Sequence, residues 1–128
     1  MTPPTAEWVS KAEGDYVAVS ILRRSRKPNR YDTICFHCQQ CIEKYLKARL
    51  NDALIEFPKT HDLEELLDLV TPVEPLWVGL KPRLKSLSAF AVLVRYPGFF
   101  ANRKKATKAY EICTHLRALT RTSLGFET

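Results

Sequence analysis

Cys35, His37, Cys38 and Cys41 put three thiols and an imidazole within seven residues. Thiolates and imidazoles are preferred zinc ligands, so a metal centre is the first chemistry this segment suggests. The spacing argues against it. Cys35, Cys38 and Cys41 stand three apart, which on a helix is a slanted row. Structural zinc sites instead take paired cysteines from a turn and need a second ligand pair. Only Cys113 is left to supply that pair. A small apolar side chain at a helix contact is the simpler role for Cys38 and Cys41, and neither a metal nor another cofactor is expected.

A second set of groups suits phosphate better than metal. His37, Gln40, Lys44 and Lys47 recur every three or four residues, so they climb one face of any helix that carries them. Gln39, Glu43 and Lys47 step by four, with Glu43 ahead of Lys47 in the favourable order for a helical ion pair. His61-Asp62 and Arg95-Tyr96 add two more polar pairs. A lysine offers a point charge, and an arginine offers a planar fork able to grip a phosphate with two parallel hydrogen bonds. A tyrosine ring can stack on a base. The candidate ligand-binding residues are therefore His37, Gln40, Glu43, Lys44, Lys47, His61, Arg95 and Tyr96. Each has a purely structural alternative: a solvated helix face with one ion pair, a buried and hydrogen-bonded imidazole at His61, and an Arg95 neutralised by Glu43 or by a helix end.

Charge is segregated along the 128 residues. Residues 51–80 carry seven acids and one base, residues 23–30 five bases and no acid, and residues 81–108 eight bases and no acid. With a net charge of +6, a basic surface would attract a nucleotide, RNA or an acidic protein. Other classes are excluded. There are four Gly against eight Pro and neither a GxGxxG nor a GxxxxGKS/T run, which rules out a Gly-rich phosphate loop. No apolar run approaches the roughly 20 residues of a membrane span. The opening residues lack the basic-then-apolar order of a secretory signal. The expected location is the cytoplasm, where four cysteines stay reduced.

The elements that must position these groups all read as helices. A first helix starts after Pro4, with Thr5 as its cap. It carries Trp8, Ala12, Tyr16, Val19 and Leu22 at helical spacing and ends in Arg23, Arg24, Arg26 and Lys27 before Pro28-Asn29. Gly14 within it suggests a close helix approach. A second runs from Arg30 or Tyr31 to Asn51, with Ile34, Cys38, Cys41, Ile42, Tyr45 and Leu46 as its apolar stripe. Thr60 caps a short third, Asp62 to Val70. Leu76 to Tyr96 reads as a turn of helix and then a longer helix, interrupted by Gly79 and Pro82 and stopped by Pro97-Gly98. Asn102 caps a last helix that reaches Leu124, turns Ala106, Ala109, Ile112, Cys113, Leu116 and Leu119 inward, and ends at Gly125. No segment alternates with period two. The predicted architecture is a single all-α domain over residues 1–128, an antiparallel up-and-down bundle of four to five helices.

Several of these segments also resemble the HEPN domain family, small helical domains often found beside minimal nucleotidyltransferases. The opening-helix pattern stands here as AEGDYVAVSILRRS, the second-helix signature as FHCQQCIEKYLKA from Phe36 to Ala48, and two further motifs as Thr60-His61-Asp62-Leu63 and Arg95-Tyr96-Pro97. The resemblance implies a helical bundle, usually a homodimer, linked to nucleotides or RNA and partnered by a nucleotidyltransferase in a toxin–antitoxin-like pair. It also implies a test for catalysis. Ribonucleases of the family carry an Arg, four to six residues, then a His, on a late helix at the dimer interface. There the His serves as acid or base and the Arg holds the scissile phosphate. Arg30 and His37 meet that spacing here, but at the start of the second helix and with Tyr31 after the Arg. His115 in the last helix has no Arg at the required distance. The expectation is a non-enzymatic binding module, with a metal-independent ribonuclease using Arg30 and His37 as the alternative.

Overall fold

The computed structural model describes residues 1–126, apart from the side chains of residues 90 and 91. All regular structure among the described residues is helical: α1 (Pro3–Arg24), α2 (Arg30–Asp52), α3 (Leu63–Val70), a 3-10 segment (Pro75–Leu80), α4 (Lys81–Leu93) and α5 (Arg103–Ser123). The expected bundle is therefore present, and local chemistry explains most of its boundaries. Asn102 caps α5 by accepting the Lys105 N–H at 2.8 Å. Gly125, at φ +88°, takes the left-handed conformation that closes α5. Pro82 falls in the first turn of α4, where its missing N–H costs nothing. Two start sites differ from the sequence expectation. α1 begins before Pro4, because Thr2 is its cap and both prolines fit the first turn. The Thr5 hydroxyl donates to Asn51 Oδ1 instead, tying the start of α1 to the end of α2. Asp62, not Thr60, caps α3, accepting the Glu64 and Glu65 N–H groups.

Side-chain pairings give the helix directions. Thr5 meets Asn51 and Asp15 meets His37 and Lys44, so α1 and α2 are antiparallel. The Ala101 N–H donates to Asp32 and Arg121 reaches Tyr45, so α5 runs with α2. Arg95, just past α4, lies over the Phe36 ring near the start of α2, so α4 runs with α1. α2 packs against all four other helices. Its Ile42, Tyr45, Leu46 and Leu50 form one core with Leu63, Leu66 and Leu67 of α3, Leu84 and Leu87 of α4, and Leu116 of α5. Gly14 is exposed, and a Cβ built there would meet nothing within 4 Å, so no close approach within the chain requires it.

Candidate functional site

Because α2 is covered on nearly every side, its polar residues need partners inside the protein. They find them in two separate nodes. At the first, Asp15 of α1 is 8% exposed. Its Oδ1 lies 2.8 Å from His37 Nδ1, and its Oδ2 accepts a 2.6 Å hydrogen bond from Lys44 Nζ. Burial alone would raise the Asp15 pKa, but the hydrogen bonds from His37 and Lys44 outweigh it and hold the carboxyl below its ordinary value.

At the second node, Glu43 Oε2 accepts from Lys47 Nζ at 3.3 Å. Glu43 Oε1 lies 2.8 Å from His61 Nδ1 and 3.4 Å from the Gln39 amide nitrogen. That amide also donates to the His61 carbonyl at 3.1 Å, and Gln40 donates to the Gln39 oxygen at 2.7 Å. The Lys47 and Glu43 side chains are only 8% and 4% exposed. The Lys47 ammonium lies 5.3 Å from the Trp8 ring and 5.9 Å from the Phe57 ring, so cation–π attraction adds to the ion pair. The His61 side chain, by contrast, is 77% exposed. It is hydrogen-bonded, but not the buried imidazole that the structural reading of His61-Asp62 expects.

The row His37, Gln40, Lys44 and Lys47 is thus helical as expected, but it is not one solvated face. Its two ends are tied to different carboxylates. Glu43 is engaged by His61 and Lys47, so it does not neutralise Arg95. Arg95 is exposed, its guanidinium 5.2 Å from the Phe36 ring centroid. Arg95 lines a groove of about 490 Å³ that also receives His61, Gln39, Lys85 and Ser88. Lys85, Ser88, Val92 and Arg95 recur at the spacing of a single helix face. Asp62 and Glu64 border the same groove. The Ser88 hydroxyl oxygen is buried and has no hydrogen-bond partner among the described residues. Tyr96 is 63% exposed and does not line the groove. Of the predicted site residues, the structure brings His61 and Arg95 to this groove, with Glu43 and Gln40 supporting it from behind. It separates His37, Lys44, Lys47 and Tyr96 from it.

Asp15, Lys85 and Ser88 were not among the sequence candidates. Asp15 had a readable signal, since an acid stands between Ala12 and Val19 on the apolar stripe of α1. Lys85 and Ser88 become meaningful only once Arg95 is known to extend their helix face.

The catalytic alternative finds no convergent pair within the chain. Arg30 donates to the Lys27 carbonyl and the Tyr31 hydroxyl, whereas His37 is bound to Asp15. Seven residues of helix separate them by about 10 Å along the axis. Arg103 opens α5, and the positions that follow it after four to six intervening residues hold Lys108, Ala109 and Tyr110, none of them an imidazole. The four cysteines are buried and free. Burial, with Asp32 nearby, pushes the Cys35 thiol up to about 11. Cys41 and Cys113 are raised well above the usual range by hydrogen bonding among the thiols and by burial. At neutral pH Cys35, Cys41 and Cys113 are protonated packing groups. Among the described residues, no three His, Cys, Asp or Glu side chains gather as a metal site would require, and no helix is long and apolar enough to cross a membrane.

Comparison with known proteins agrees with the motif reading. The family model described as HEPN domain matches residues 5–122. Neither the curated proteins nor the solved structures gave a match.

Proposed function

Since the chain belongs to the HEPN domain family, we propose that it is a non-catalytic HEPN-type module that holds a nucleotide in the groove between α2, α3 and α4. The single observation that carries this reading is the composition of the groove. Its volume lies within the range of small-molecule sites. Arg95, Lys85 and His61 provide cationic or proton-donating groups for a phosphate. Asp62 and Glu64 provide acceptors for the amino groups of a base. A nucleotide carries both kinds of partner chemistry. Gln39 and His61 are braced by the buried Glu43, so two of the lining groups are already held in place.

The same proposal includes a cytoplasmic homodimer that works with a minimal nucleotidyltransferase, as a toxin–antitoxin-like pair. An unpartnered row on α1, Gly14, Val17 and Ile21, supports self-association. Val17 and Ile21 are exposed there, and Gly14 leaves room for a second helix to come close. Calorimetric titration with ATP tests the ligand. Binding by the parent that falls roughly tenfold or more in Arg95→Ala supports the groove, in keeping with loss of a charge-assisted hydrogen bond. No ATP binding by the parent removes it. Incubation with RNA in the absence of metal tests the non-catalytic part. RNA cleavage that vanishes in a folded His37→Ala protein would establish the ribonuclease alternative.

A further inference from the structure

At the far end of α1 from Thr5, five arginines surround one cleft. Arg23 and Arg24 come from the last turn of α1, Arg26 from the connection to α2, Arg30 from the first residue of α2 and Arg103 from the first residue of α5. The cleft measures about 510 Å³, and no acidic residue lines it. Among the described residues, no carboxylate forms an ion pair with any of the five. Among the described residues, two of them have internal partners. The Arg23 guanidinium lies 3.7 Å from the Tyr110 ring centroid. Arg30 lies over the Tyr31 ring and donates to its hydroxyl at 2.7 Å.

Fold stability explains part of this arrangement and conflicts with the rest. Arg23 and Arg24 complement the negative end of the α1 dipole. Arg30 and Arg103 do the opposite, because each places a cation at the positive end of its helix. The start of α2 is also uncapped. Asn29 makes no side-chain capping bond, and the first-turn acid Asp32 is turned towards the Ala101 N–H. Five guanidinium groups therefore converge on a cleft that no acidic residue lines, the nearest first-turn acid, Asp32, being engaged by the Ala101 N–H. Like charges gathered around one cleft repel each other, a cost that a bound anion removes.

We infer that this cleft is a second anion site, distinct from the Arg95 groove, and that its ligand is a row of adjacent phosphates. Each fork takes up two phosphate oxygens in its bidentate geometry, so five forks exceed what the oxygens of one phosphate offer and match an oligophosphate chain. Either a nucleic-acid backbone or the phosphate tail of a nucleotide presents that chemistry. The aromatic ring that lines the cleft, Tyr31, is covered by the Arg30 guanidinium, and Ile34 and Ala106 add little apolar surface for a base, so the phosphates are what is recognised.

The full-length protein is titrated with inorganic tripolyphosphate and, separately, with single-stranded oligouridylates of increasing length. Arg26→Ala, Arg30→Glu and Arg103→Glu are compared with the parent. The parent should bind at least one probe, and more weakly as salt is added. Arg30→Glu and Arg103→Glu should each weaken binding by roughly tenfold or more. They should melt no lower than the parent, because an acid is favourable at a helix start. Arg26→Ala lies outside the helices, so its weaker binding cannot be attributed to unfolding. Arg83→Ala, which removes an exposed arginine of α4 that lines neither the cleft nor the Arg95 groove, should bind both probes like the parent, so a loss in the other variants reports the cleft rather than net charge. Affinity that rises with oligouridylate length identifies a nucleic-acid backbone, whereas tighter tripolyphosphate binding identifies a nucleotide tail. Two results would overturn the inference: no binding of either probe by the parent, or unchanged affinity in the charge-reversed proteins.

Discussion

Asp15 and Glu43 are both buried carboxylates on the α1–α2 side of the bundle, and each gathers a histidine and a lysine. Their surroundings make them different. Asp15 faces inward from α1, and both of its partners come from α2, so the node is closed within one helix pair. Glu43 sits on α2 itself and reaches His61 ahead of α3, whose ring is open to solvent and borders the groove. The first node joins two helices. The second joins the core to a surface where a ligand can bind. A histidine next to an acid is therefore not a site marker by itself. What distinguishes the two is whether the chain that carries the histidine leaves its other side exposed.

The sharpest way to break the comparison is Glu43→Gln. Removing that charge leaves the buried Lys47 ammonium unpaired, a loss of about 3–5 kcal/mol by analogy with broken buried ion pairs. It also releases His61 from its brace. Chemical denaturation should show the destabilisation, and the folded fraction should bind ATP more weakly. Asp15→Asn should cost less, about 1.5–3 kcal/mol, as expected for hydrogen bonds to a charged group. Lys44 and His37 keep some access to water, which limits the loss. It should leave ATP affinity unchanged.

The two proteins should also differ in acid. The folded Asp15 pKa is lowered from 3.8, so its stabilisation is complete above that value and disappears as pH falls through the folded value. Urea midpoints measured from neutral pH down to pH ~3 should therefore fall more steeply for the parent than for Asp15→Asn. The parent and the variant should not converge at neutral pH, where Asp15 is fully ionised. An equal slope in the two proteins would show that the carboxyl is not held by His37 and Lys44.

Cys38 and Cys41 lie on α2 between the two nodes and are buried without an ionic partner. Replacing each with Ala should cost on the order of 1 kcal/mol, which calibrates how much of the larger losses is packing alone. Arg95→Ala should have the smallest effect on stability, within about 0.5 kcal/mol, as for an exposed position without an ion pair. Thermal melts of all five variants give this ranking directly.

The helices were legible because their signals are local. Periodic apolar residues, Asn102 before α5 and Gly125 after it act within one or two turns. The start of α1 was read one cap too late because Thr5 looks like a cap. Its actual role depends on Asn51, across the bundle, which no local window contains. The same limit explains the site. His61 and Arg95 were recognisable as polar residues with phosphate chemistry. The pairing of His37 and Lys44 with Asp15, however, depends on how α1 lies along α2. Lys85 gains a function only when α4 is placed beside α2 and α3. The arginine cleft was partly visible as the basic run at residues 23–30, but Arg103 joins it only because α5 starts where α1 ends.

The central claim is that the Arg95 groove, and not the charged row along α2, is the nucleotide site. Titrating ATP against the parent, Arg95→Ala and Lys44→Ala under one buffer tests it most directly. The account predicts that Arg95→Ala loses roughly tenfold or more in affinity at an unchanged melting temperature, while Lys44→Ala melts lower and binds ATP like the parent. If Lys44→Ala weakens binding and Arg95→Ala does not, the claim is contradicted and the site belongs to the α2 row.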